Sequence, residues 1–139
     1  MTTVTVSEDI QGKAADVWAA ISDFGGIKVG GPVTSFEIEG EGVGMVRTIG
    51  MGGGQVVERL DLHDADAMVF SYSIINEDCP LPVADYSATV EVSDNGDDTT
   101  RVTWTGTFEP RGASEADASK VVEGIYKGGI AGARKAVEG

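Results

Sequence analysis

Two residues of opposite charge stand where apolar side chains are expected. In the run Gln55–His63, Val56, Glu58, Leu60 and Leu62 alternate with Gln55, Val57, Arg59, Asp61 and His63. A strand here turns the first set inward and carries a carboxylate with it. In the preceding run, Met45–Ile49, the apolar positions Met45 and Ile49 share their face with Arg47. Charged side chains are rarely buried without partners. Arg47 and Glu58 therefore read in one of two ways. They form a buried ion pair, which often adds no net stability over apolar replacements, or a cavity keeps them wet and presents them to a ligand. In the second case the Arg47 fork grips a carboxylate or enolate through two parallel hydrogen bonds. Tyr72, Tyr86 and Trp104, inward on later segments, supply aromatic walls with polar tips. As candidate catalytic residues, Arg47 would polarise a ketone oxygen while Glu58 or Tyr72 moves a proton.

Other chemistry-bearing residues read as structure. His63 falls on the outward face near a strand end. Cys79 precedes Pro80 beside Glu77 and Asp78, whose charges oppose thiolate formation. The Asp94–Asp98 cluster lacks the ordered spacing and closing Glu of a calcium loop and reads as a hairpin tip. Gly40-Glu41-Gly42-Val43-Gly44 and Gly50-Met51-Gly52-Gly53-Gly54 lack a Lys-Ser/Thr ending and lead into strands, so neither is a phosphate-binding loop. With one Cys and one His, no zinc ribbon, disulfide framework or Ser-His-Asp arrangement can be built. The expectation is no metal and no cofactor.

The elements that position these residues follow from periodicity. Thr2–Ile10 alternates weakly as a first strand, and Ala14–Ser22 puts Val17, Trp18 and Ile21 on one helical face. Eleven of the 20 glycines fall between Gly25 and Gly54, a stretch that must turn often or approach something closely. Period-two segments predict strands at Ser35–Glu39, Met45–Ile49, Gln55–His63, Met68–Ile75, Tyr86–Ser93 and Thr100–Phe108. Asp94-Asn95-Gly96-Asp97 is a hairpin signal.

Ser114-Glu115-Ala116-Asp117 resembles a capping box, with Asp in place of the usual Glu. Ala118, Val121, Val122, Ile125, Gly129, Gly132, Ala133 and Ala136 then recur at helical spacing to about Val137. Gly124, Gly128, Gly129 and Gly132 each cost this helix about 1 kcal/mol relative to Ala. Such a helix needs a smooth face, either for close packing on a sheet or to leave space for a ligand. The fold class is α+β: seven antiparallel strands curling around one long C-terminal helix.

The chain has 139 residues and 41% apolar residues, enough for one domain, taken as residues 1–139, with a real core. Its net charge of −13 argues against nucleic acid or an anionic membrane surface as partner. No apolar run approaches the ~20 residues that span a bilayer, and Met1-Thr2-Thr3-Val4 does not begin like a signal peptide. The expectation is a cytoplasmic protein, a monomer or weak homodimer.

Glu58-Arg59-Leu60-Asp61-Leu62-His63-Asp64, followed by Tyr72-Ser73-Ile74-Ile75 and Tyr86, resembles the central part of the plant abscisic acid receptors. Those belong to the START/Bet v 1-like (SRPBCC) superfamily, which also holds polyketide cyclases and lipid-transfer domains. The Val17-Trp18 helix and the Arg47-Thr48 and Val102-Thr103-Trp104 strands are more similar to its bacterial polyketide cyclase/dehydrase-like branch. The resemblance implies a helix-grip fold, with one or two short helices after the first strand. It also implies a cavity for a small hydrophobic ligand such as a lipid, polyketide or terpenoid-like acid.

Carried over residue by residue, the resemblance places the ligand among Met45, Arg47, Glu58, Tyr72, Ile74, Leu81, Tyr86, Ala88 and Trp104. From the last helix it adds Val121, Ile125 and Gly129. The receptors' mobile gate matches Ile49–Gly54, with Met51 closing over the ligand, and their latch matches Cys79-Pro80-Leu81. Lys28 lies in a segment shorter than the one that holds the receptors' carboxylate-binding lysine, so Arg47 is the anion anchor instead. Three functions compete: a carrier or sensor of a hydrophobic molecule, a cyclase/dehydrase-type enzyme, and an interaction module like the superfamily's chaperone-activating members.

Overall fold

The structure is a computed structural model that describes residues 1–25, 29–30, 33–52 and 54–138. Alternating sequence produces seven strands: β1 (Thr2–Gln11), β2 (Val33–Glu39), β3 (Val46–Met51), β4 (Gly54–Asp64), β5 (Val69–Ile74), β6 (Val83–Asp94) and β7 (Thr99–Pro110). Helix α1 (Ala14–Ile21) follows β1, and helix α2 (Glu115–Glu138) ends the chain. All neighbouring strands are antiparallel, in the order β1-β7-β6-β5-β4-β3-β2. This is the helix-grip arrangement, with one short helix among the described residues between β1 and β2.

The capping signal before α2 is realised: Ser114 Oγ accepts the Asp117 N–H at 3.1 Å. The Asp94–Asp97 hairpin also forms, with Asp94 Oδ1 accepting the Gly96 N–H at 2.8 Å and Gly96 at φ +88°. Helix α2 packs on β1, β7 and α1. Its buried face is Ala118, Val122, Tyr126, Ile130 and Ala133, at spacings of four, four, four and three.

Three expectations change. Val121 and Ile125 are 42% and 40% exposed, because the helix presents the stripe one residue further on. Leu62 leaves the inward face: a bulge between Leu60 and Leu62 shifts the register, so Leu62 turns to solvent, while His63 is exposed as expected. His63 pairs opposite Phe70, and its ring lies 5.2 Å from that of Trp18. The expected gate over Ile49–Gly54 is mostly strand. Met51 pairs with Gly54, and Gly52 takes φ +47°. Gly53 and Lys28 lie outside the described residues.

Candidate functional site

Arg47 and Glu58 are direct cross-strand partners of β3 and β4. Their shared, inward face brings the side chains together as the alternation requires. Nε and Nη2 of Arg47 each lie 2.7 Å from Glu58 Oε1. Nη1 donates to the Phe24 carbonyl at 3.1 Å, and the guanidinium carbon sits 3.9 Å above the Phe24 ring. The side chains are 12% and 10% exposed, so the pair is shielded but not sealed. A guanidinium has five N–H donors. Glu58 and Phe24 engage three of them, which leaves two with no hydrogen-bond acceptor among the described residues.

The interior beneath α2 is filled by aromatic groups. Trp104 Nε1 donates to Tyr72 Oη at 3.2 Å, Tyr72 and Tyr86 share a 3.3 Å bond, and Tyr86 and Tyr126 share one of 2.5 Å. The Trp104 and Tyr126 rings stack with centroids 5.0 Å apart. Two glycines make this possible. A Cβ on Gly106 would lie 1.8 Å from Tyr126 Oη, and one on Gly129 would lie 2.5 Å from Trp104 Cζ3. Close packing is therefore the reason for Gly129, whereas Gly124, Gly128 and Gly132 face open space. Burial pushes the phenols of Tyr72, Tyr86 and Tyr126 well above their ordinary range, and the Glu58 carboxylate adds to the rise at Tyr72 and Tyr126. They hold their protons, so Tyr72 can donate a hydrogen bond but does not serve as a base at neutral pH.

An open cleft of about 260 Å³ lies beside Arg47. Its walls are Ala20, Ile21 and Asp23 from the end of α1, Phe70 and Trp104 from the sheet, and Gly129, Gly132 and Ala133 from α2. Of the residues expected at the ligand, the cleft brings together Arg47, Trp104 and Gly129. Glu58 stands behind Arg47. Tyr72, Tyr86 and Ala88 are core. Met45, Met51, Ile74 and Leu81 are half-buried against the core, outside this cleft. Val121 and Ile125 face away from the sheet.

The wall formed by the end of α1 and Phe24 beneath the guanidinium were not among the expected site residues. Nor was Tyr126, although its four-residue spacing from Val122 and Ile130 was a signal. At the far end of the molecule, Gly54 stands against the latch segment, since a Cβ there would lie 3.4 Å from Pro80. Arg111 fastens that segment by donating to the carbonyls of Glu77 and, at 3.0 Å, Cys79.

Residues 1–138 match the family described as polyketide cyclase/dehydrase and lipid transport. The protein XoxI from Bacillus cereus is 29% identical with a TM-score of 0.85, the alignment covering 99% of this chain and 96% of that one. A protein from Bacillus thuringiensis is 30% identical with a TM-score of 0.83, covering 97% and 98%. One from Thermobifida fusca is 27% identical with a TM-score of 0.71, covering 94% and 85%. No curated protein sequence matches this one.

Proposed function

Because the chain belongs to the polyketide cyclase/dehydrase and lipid transport family, we propose that it binds a small hydrophobic molecule with an oxygen-bearing end in the cleft beside Arg47. The observation that carries this reading is the state of Arg47. It is fixed by Glu58, Phe24 and the ring beneath it, yet keeps two N–H donors for a guest. Apolar walls with one oriented polar group are the usual design of a small-molecule site. The volume of about 260 Å³ lies just under the ~300–1,000 Å³ of drug-sized pockets, which suits a compact guest or one end of a longer one.

Binding is favoured over turnover. Glu58 is held on Arg47, and the tyrosines keep their protons and lie outside the cleft, so neither expected proton carrier, Glu58 or Tyr72, is free to act on the guest. An Arg47 N–H polarising a carbonyl would nonetheless serve a cyclase/dehydrase-type step in the same place. In this reading the chain is a single cytoplasmic domain, with the lone Cys79 suited to a reducing compartment. No helix among the described residues is long and apolar enough to cross a membrane.

The test is a panel of medium-chain ketones, esters and acids, followed by thermal shift and by the indole N–H resonance of Trp104. Binders should move that resonance and raise Tm, and Arg47→Met should weaken them at least ~10-fold. A panel that leaves both Tm and the indole resonance unmoved would overturn the proposal.

A further inference from the structure

The charges around the cleft do not suit an anion. Arg47 is the cation on its wall, and Glu58 Oε1 occupies the Nε–Nη2 edge of that guanidinium at 2.7 Å. Asp23, exposed at the end of α1, lines the same cleft. Among the described residues, one positive group thus faces two negative ones, in a chain whose net charge is −13. A ligand carboxylate on the remaining N–H groups would share one guanidinium with Glu58. It would lose its hydration shell while meeting two like charges. A ketone, ester or hydroxyl oxygen needs only the N–H donors and brings no charge to desolvate.

We propose that this cleft selects an uncharged oxygen acceptor and rejects carboxylates, with Glu58 and Asp23 as the specificity-determining residues that cancel Arg47's charge but leave its hydrogen bonds free. The inference rests on the reading of the cleft as a binding site, and it narrows the guest to neutral carbonyl or hydroxyl compounds. Glu58 also stops being a candidate proton carrier: its role is to hold the arginine in place and neutralise it.

The experiment compares 2-decanone with decanoate, which have similar chains and differ in charge at neutral pH. Dissociation constants are read from the Trp104 indole resonance. The ketone should bind at least ~10-fold tighter to the wild type. Glu58→Gln keeps an acceptor for Arg47 while removing the charge. It should shift the ketone-over-decanoate preference about 3- to 10-fold toward decanoate. Asp23→Asn, at an exposed position, should change the ratio in the same direction, and it alone decides the matter if Glu58→Gln does not fold. Decanoate binding as tightly as the ketone overturns the inference while binding itself stands. So does a ketone preference unchanged in the variants, which would be hydrophobicity alone. Failure of both probes to bind removes the binding reading and this inference together.

Discussion

Trp104 Cζ3 lies 2.5 Å from the position a Cβ on Gly129 would take, so the indole of β7 rests directly on the backbone of α2. Gly129→Ala must push ring and helix apart, and overpacking of this kind costs about 1–3 kcal/mol. Gly128, one residue away, has nothing near its Cβ position. There Ala adds helix propensity and should stabilise by ~0.5–1 kcal/mol. Urea unfolding of the two variants should give shifts of opposite sign.

The chain's three tyrosines are Tyr72, Tyr86 and Tyr126, all in one buried hydrogen-bonded chain. Their folded pKa values are raised above the ordinary value of 10.0. Below pH 10 both folded and unfolded chains are protonated, and the stabilisation is complete. Above it the unfolded chain ionises first and stability falls, by up to ~1.4 kcal/mol per pH unit for each tyrosine. An alkaline titration should show no tyrosinate absorbance until the protein unfolds, with both transitions coincident. Tyrosinate appearing in the folded protein near pH 10 would contradict the buried chain.

Removing one member of the Arg47–Glu58 pair leaves a shielded charge without its partner. Arg47→Leu or Glu58→Leu alone should cost about 3 kcal/mol. The double variant should recover most of that loss, since paired apolar side chains often replace a buried ion pair without penalty. A double-mutant cycle in guanidinium chloride measures the coupling. Additive losses would show that the two side chains do not act as a unit.

The succession of strands along the chain and most of their boundaries were legible because period-two alternation is enforced on every strand by one buried face. Arg47 and Glu58 could be paired for the same reason: a charge on an apolar face needs a neighbour, and consecutive strands supply it. The phase of α2 was not legible. Val121 and Val122, then Ile125 and Tyr126, offer two adjacent apolar stripes. The choice depends on Gly106, a residue of another element whose missing side chain makes room for the Tyr126 hydroxyl. Local pattern carries no trace of that long-range fit. The bulge at Leu60–Leu62 is hidden likewise, since its effect on Leu62 appears only once β5 is paired. The size of the hollow depends on how Tyr72, Tyr86, Trp104 and Tyr126 interlock across four elements, which no single segment encodes.

Gly132 stands in the cleft wall with no atom within 4 Å of the place a Cβ would occupy. Every other residue type would project carbon into that space, so in the proposed binding reading this one position would limit the length of the guest. Relatives that differ here by a methyl or an isopropyl group would accept progressively shorter molecules on an otherwise identical scaffold. The fold can thereby diversify what it holds by changing a single residue, without touching the arginine or the aromatic interior.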